Sequence, residues 1–194
     1  LLDAGGTQLL VDYAVKFLSA FITLGLIAKL LGPASFSNLI IVTNSALWIT
    51  LVFSLGLDRA LLTSSLSRDS VLRLTIFFTI VKICVLLALA LLATPYSANF
   101  QFAAILAIGL SYEYFDFYFR RDGRFRVGAY SRLVASIVAL ILRLAIIALN
   151  INDLNIILFT YVFEYFLAFL LLLRVIYKEY MATTNLFCKM PEWS

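Results

Sequence analysis

The sequence contains no histidine and few of the residues that end helices or build loops. Its 194 residues include two cysteines, three prolines and eight glycines. Without histidine, the chain lacks the side chain that normally titrates near neutral pH and the commonest metal ligand. The two thiols, Cys84 within an apolar run and Cys188 in the polar tail, are expected at different depths, and without histidine they cannot form a zinc site. We therefore expect no disulfide, no metal site and no cofactor.

Charged residues are also scarce. They make up 13% of the chain, whereas hydrophobic residues make up 63%; a soluble domain has about a quarter charged and about half apolar residues. The apolar runs are continuous and about 20 residues long, as membrane helices require, whereas barrel strands alternate apolar and polar residues. We predict an all-α, polytopic membrane bundle. The net charge of +4 reflects basic loops and gives no reason to expect a nucleic-acid partner.

Six membrane-spanning helices are predicted from the apolar runs and the breaks between them. Gly32 and Pro33 end the first run, because glycine ends a helix and proline cannot continue it. The predicted spans cover about residues 8–31, 36–62, 71–93, 100–119, 127–149 and 154–177, which together form one transmembrane lobe over residues 1–178. A polar cytoplasmic tail is predicted over residues 179–194.

The distribution of basic residues predicts the orientation of this lobe. Arginines and lysines concentrate in the second, fourth and last connections, and the other connections hold only Lys29. Cytoplasmic loops carry an excess of such residues. Both termini are therefore expected in the cytoplasm.

The stretch Tyr112–Arg126 passes from an apolar run into a cluster of arginines, as at a membrane boundary. Glu113, Asp116 and Arg120 fall at i, i+3 and i+7, so a helix carries them on one face. The i, i+4 spacing of Asp116 and Arg120 favours a helical ion pair. Gly123 is predicted to form the bend that follows.

Several charged residues lie inside the predicted spans, where a charge costs roughly 2.5–3.5 kcal/mol and usually faces a partner or a wet cavity. The basic ones, taken as candidates for a cationic lumen, are Lys16, Lys82, Arg132 and Arg143. The acidic ones, taken as candidates for ion coupling or helix pairing, are Asp12, Glu113, Asp116 and Glu164. The alternative is that a pair such as Glu164 with Arg143 or Lys82 only holds helices together.

Three segments resemble the O-antigen-type polysaccharide flippases of the MOP exporter superfamily. Ala28–Phe36 (AKLLGPASF) is similar to the motif that ends the first helix of that family, although Ser37 stands where glycine is usual. Ser54–Arg59 (SLGLDR) resembles the pattern that closes the second helix. Phe115–Arg126, with Leu142–Leu144 in the next helix, resembles the region of the fourth and fifth helices.

The resemblance implies a multi-pass protein of the bacterial inner membrane that moves an undecaprenyl-diphosphate-linked oligosaccharide, an O-antigen or exopolysaccharide repeat unit, to the outer leaflet by alternating access. It implies a cationic cavity, to which Arg143 is matched by pattern; Lys16 and Lys82 are assigned to it by depth alone. Coupling to H⁺ or Na⁺ is expected at the carboxylates. Membrane lipids and a polysaccharide polymerase are candidate partners.

Family members have two lobes of about six helices, whereas this sequence supplies one. We expect an N-terminal fragment that lacks its second lobe, or a half-size protein that pairs with a second copy. The alternative functions are another lipid or multidrug exporter of the superfamily, or a non-transporting membrane subunit of a polysaccharide assembly complex. A membrane enzyme is not favoured, because no histidine and no paired acidic motif in a loop offer acid–base catalysis.

Overall fold

Helices account for nearly all of the chain that the structure describes. The computed structural model describes the backbone of residues 4–54, 67–93 and 98–187, and the side chains of Ala14, Phe17 and residues 21–54, 67–92 and 98–178. The helices are α1 (Ala4–Ser54), α2 (Arg68–Ala93), α3 (Ala98–Gly109), α4 (Tyr112–Arg121), α5 (Phe125–Ala148) and α6 (Leu154–Phe187). No strand occurs in these ranges, so the all-α prediction is confirmed for them.

Helix α1 changes direction at Gly32, where the sequence predicted the first span to end. Gly32 has φ 74° and ψ 170°, a backbone conformation that only glycine adopts without strain. Pro33 follows and cannot donate a backbone hydrogen bond. Residues 8–31 and 36–54 of the two predicted spans therefore belong to one helix that changes direction at Gly32, whereas the predicted end of the second span, residues 55–62, lies outside the described residues.

Four helical segments are long and apolar enough to cross a membrane: Phe21–Ser54, Arg68–Leu92, Phe125–Ala148 and Leu154–Lys178. They indicate a membrane protein. The predicted count of six spans is not established by them, since the first of these segments contains the bend and the predicted fourth span is not among them.

The predicted fourth span is divided into α3 and α4. At the junction, Ser111 N–H donates to the Ile108 carbonyl (3.0 Å) and Glu113 N–H to the Leu110 carbonyl (3.2 Å), three residues back instead of four. This tightening is the 3₁₀ geometry that interrupts an α-helix. The sequence did not reveal it, because the apolar run continues through the junction.

Helices α3 and α4 lie at the centre of the bundle. Helix α3 packs against α1, α2 and α6, and α4 packs against α2, α5 and α6. The close approach of α3 to α6 requires Gly109, where a Cβ atom would lie 2.8 Å from the Cβ of Tyr165. The most completely buried large side chains here include Phe115 and Phe119. The stretch that the sequence marked as a membrane boundary is therefore also the core of the fold.

The last helix continues past the predicted end of the sixth span. Helix α6 extends to Phe187, so the first part of the predicted polar tail is helical. The positive φ of Gly123 (72°) agrees with the predicted bend between α4 and α5.

Candidate functional site

A cavity of about 430 Å³ lies between α1 and the helices α3 to α6. Apolar side chains from α1 and α3 form much of its wall. Its polar lining comes from the four helices α1, α4, α5 and α6 and consists of Thr43, Asn44, Tyr112, Glu113, Ser136, Arg143, Tyr161, Glu164 and Tyr165. In a bundle this apolar, such a concentration of polar side chains around open volume marks the candidate site.

An ion pair between α5 and α6 forms one wall of the cavity. Arg143 Nη2 donates to Glu164 Oε2 at 2.5 Å, and Arg143 Nε donates to the Thr160 hydroxyl at 3.1 Å. The second carboxylate oxygen of Glu164 accepts a hydrogen bond from the Ser136 hydroxyl at 2.7 Å. The guanidinium carbon lies 3.8 Å from the centre of the Tyr161 ring, within cation–π range. The sequence offered Arg143 or Lys82 as partners for Glu164, and the structure pairs Glu164 with Arg143.

Glu113 lies between this cavity and a second one. The second cavity, of about 390 Å³, is lined by α1 residues that include Asn44, Trp48 and Ser54, and by Glu113. Glu113 also interacts electrostatically with Lys82. Glu113 is the second residue of α4 and directly follows the tightened turn between α3 and α4. The break between the two helices therefore places its carboxylate where it lines both cavities.

The charges that line the main cavity do not make it cationic. Its charged lining residues are one arginine, Arg143, and two acids, Glu113 and Glu164. Lys82 is absent from the lining; it is 2% exposed, and its Nζ lies 5.2 Å from the centre of the Tyr114 ring. Lys82 was predicted to face a lumen because it lies deep within a predicted span. The depth of a residue does not specify which way its helix face points.

Thr75, Thr79 and Lys82 form a polar stripe on α2 that is buried against other helices. Thr75 and Thr79, which share a face with Lys82, are almost completely buried. The Thr75 hydroxyl donates to the Val71 carbonyl (2.8 Å) and the Thr79 hydroxyl to the Thr75 carbonyl (2.7 Å). Since these hydroxyls are satisfied within their own helix, the stripe needs no water-filled lumen.

Arg132 is likewise separate from the main cavity. It pairs with Asp116, and Arg120 contacts the same carboxylate oxygen, Oδ2, at 2.7 Å. The predicted i, i+4 pair of Asp116 and Arg120 is therefore present, with an arginine from α5 added to it. The other oxygen, Asp116 Oδ1, has no hydrogen-bond partner among the described residues and lies against Gly128, where a Cβ atom would collide with it.

Two of the predicted site residues, Asp12 and Lys16, belong to α1, but their side chains lie outside the described residues. Of the other six, Arg143, Glu113 and Glu164 line the main cavity, and Lys82, Arg132 and Asp116 do not.

The three tyrosines of the cavity were not predicted from the sequence. Tyr112, Tyr161 and Tyr165 line it, and the rings of Tyr112 and Tyr165 stack with centres 6.2 Å apart. In sequence they look like the aromatic residues that contact lipid headgroups. The signal that distinguishes them is their position in the sequence: Tyr161 lies three residues before Glu164, on the same helix face, and Tyr112 and Tyr165 are directly next to Glu113 and Glu164.

Comparison of this chain with protein-family models, with curated proteins and with solved structures found no match. The resemblance to the polysaccharide flippases therefore stays a prediction based on the short segments described above.

Proposed function

We propose that this chain forms one lobe of an exporter that moves an anionic, lipid-linked oligosaccharide across a bacterial inner membrane. The observation that carries the proposal is the cavity in which Arg143 and Glu164 face open volume inside an apolar bundle. The sequence resemblance narrows the substrate to an undecaprenyl-diphosphate-linked repeat unit. The second lobe, from the same protein or from a second copy, would complete the passage.

Interrupted helices next to the cavity support a transport role. Residues on both sides of the Gly32 bend line the cavity, among them Leu24 and Leu39, and the α3–α4 junction contributes Leu110 and Tyr112. Membrane transporters commonly form their binding sites from discontinuous helices, because irregular backbone at that depth is tolerated where it lines a cavity or is buried in protein.

Binding of a diphosphate at Arg143 would require exchange of one anion for another. In the structure the Arg143 guanidinium is bound to the Glu164 carboxylate. The substrate phosphate would therefore have to replace that carboxylate. Arginine suits this exchange because its planar fork binds carboxylate and phosphate with similar geometry. The Tyr161 ring and the Thr160 hydroxyl would hold the guanidinium in place while its partner changes.

The released Glu164 offers a route for coupling to an ion. A buried carboxylate that loses its cationic partner is costly to keep charged. Glu164 would then take up H⁺ or Na⁺, while the Ser136 hydroxyl continues to hold its other oxygen. Glu113, at the boundary of the two cavities, is the second candidate for this role.

The test uses source cells that lack the chromosomal copy and carry the wild type or a variant. We expect Arg143→Gln to abolish surface polysaccharide while the protein remains in the membrane fraction. The matched control is Arg126→Gln, which removes the same charge from an exposed arginine outside the cavity. Full export by Arg143→Gln would contradict the proposal.

A double variant separates binding from structure. Arg143→Gln with Glu164→Gln replaces the ion pair by two neutral amides, so no buried charge is left unpaired. If Arg143 binds the substrate or Glu164 couples the ion, the double variant folds and still fails to export. If the pair only holds α5 and α6 together, surface polysaccharide is normal in the double variant, and the pair takes no part in substrate binding or ion coupling.

The lining of the cavity favours one alternative, export of an organic cation. Two carboxylates, one arginine and three tyrosines are the kind of acidic, aromatic surface that suits a cationic solute. In this case Glu113→Gln would lower efflux of a fluorescent cationic dye from the cells, and Arg143→Gln would leave surface polysaccharide unchanged. The two proposals therefore predict opposite outcomes for Arg143→Gln in the polysaccharide assay.

A further inference from the structure

A groove on the outside of the bundle is separate from the central cavity. It lies between α2 and α6, has a volume of about 860 Å³, and is lined by Arg73, Ile76, Phe77, Ile80, Leu170, Leu173, Arg174, Ile176 and Tyr177. That volume is within the range of roughly 300–1,000 Å³ typical of ligand sites. None of these residues lines the central cavity.

The groove exists because α2 and α6 flank the central helices without closing on each other. Both pack against α4, but the two helices make little contact with each other. On α2 the lining positions 73, 76, 77 and 80 follow helical spacing, so they form one face. Phe77, Ile80 and Leu170 are each more than half exposed in this groove.

Both arginines of the groove lie at the same end of the bundle. Arg73 is near the beginning of α2 and Arg174 near the end of the apolar part of α6, and the apolar lining leads away from them along each helix. Arg68 Nε, at the start of α2, lies 2.8 Å from Asp122 Oδ2, directly after α4. This end of the bundle therefore carries the arginine-rich connections that the sequence predicts to be cytoplasmic.

The two arginines are exposed, and no described acidic side chain pairs with either. Elsewhere in the described chain, Arg120, Arg132 and Arg143 all contact carboxylates. The end of the groove is therefore a pair of cations next to an apolar channel, which is complementary to an anionic headgroup with acyl chains attached.

We propose that this groove binds an anionic phospholipid of the cytoplasmic leaflet. The headgroup phosphate lies between Arg73 and Arg174, and an acyl chain follows Ile76, Phe77 and Ile80 toward the membrane interior. Basic pockets between helices on the cytoplasmic side of a membrane have the chemistry that anionic lipid headgroups require. The proposal does not depend on the transport function and concerns a different surface of the molecule.

The test is native mass spectrometry of the full chain in detergent, titrated with phosphatidylglycerol or with phosphatidylcholine. We expect the wild type to prefer phosphatidylglycerol. Each of Arg73→Gln and Arg174→Gln should weaken phosphatidylglycerol binding about fivefold, as expected for one basic residue at an anionic lipid. Arg126→Gln, an exposed arginine outside the groove, should leave it unchanged.

A second pair of variants tests the apolar part of the groove without changing charge. Ile80→Trp should fill the channel and weaken binding, whereas Leu87→Trp, an exposed position on α2 outside the groove, should not. If Arg126→Gln weakened phosphatidylglycerol binding as much as Arg73→Gln and Arg174→Gln, the preference would come from the general surface charge, and the proposal would be overturned. A lack of preference for phosphatidylglycerol would overturn it, as would a lipid-free dimer in which Ile80→Trp disrupts the association of two copies.

Discussion

Two clusters of ion-paired side chains join helices of this bundle, and their surroundings differ. In the first, Asp116 of α4 holds Arg132 of α5 and Arg120 of its own helix. In the second, Glu164 of α6 holds Arg143 of α5. The first lies outside the main cavity and packs against Gly128, whereas the second lines the cavity of about 430 Å³. A charge inside a predicted membrane helix therefore does not by itself mark a lumen; the open volume beside it does.

The largest effect on stability is expected from the packed cluster. Asp116→Ala removes the shared carboxylate and leaves two arginines without it, one of them almost completely buried. Loss of one partner of a buried ion pair costs about 3–5 kcal/mol. The thermal unfolding midpoint in detergent should fall sharply. A midpoint close to that of the wild type would mean that the cluster is not buried as described.

The cavity pair should be less sensitive. Arg143→Gln is expected to destabilise the fold by about 3 kcal/mol or less, because Ser136 still donates to Glu164 and the cavity leaves room for water at the carboxylate. The double variant with Glu164→Gln should recover to within about 1 kcal/mol of the wild type. Unfolding midpoints of both variants check this, and a double variant less stable than the single one would contradict it.

A smaller loss is expected at the contact between α4 and α5. Gly128→Ala places a methyl group against the Asp116 carboxylate, and overpacking of this kind costs about 1–3 kcal/mol. The matched control is Gly25→Ala in α1, where the added Cβ meets nothing within 4 Å outside its own stretch of helix. Unfolding midpoints should fall for Gly128→Ala and stay unchanged or rise for Gly25→Ala. Equal midpoints would show that the helices separate freely at Gly128.

The smallest effect is expected on α2. Thr79→Val removes a hydroxyl that donates only to its own helix backbone, so the cost should be about 1 kcal/mol. Export should be unaffected. Ser136→Ala, by contrast, removes a donor to the cavity carboxylate and should impair export. If Thr79→Val impairs export as strongly as Ser136→Ala, the α2 stripe faces the substrate after all.

Much of this organisation could be predicted because it depends on local chemistry. The bend at Gly32 follows from a glycine–proline pair, and the Asp116–Arg120 pair follows from i, i+4 spacing. The candidates Arg143 and Glu164 were found because charges are costly within membrane helices. Which of the predicted charged residues line the cavity could not be foreseen. Lys82 and Arg132 are basic residues within predicted spans, as Arg143 is, and only the structure shows that they lie outside the cavity lining.

The sequence by itself determined that the chain is helical and suited to a membrane, because composition and the length of apolar runs are sufficient for both. Tertiary structure alone decided which charges meet and where open volume remains. The rotation of each helix about its axis sets those contacts, and it depends on side-chain packing across the bundle. Gly109 against Tyr165 and Gly128 against Asp116 fix two of these approaches, and each pair joins residues of two different helices.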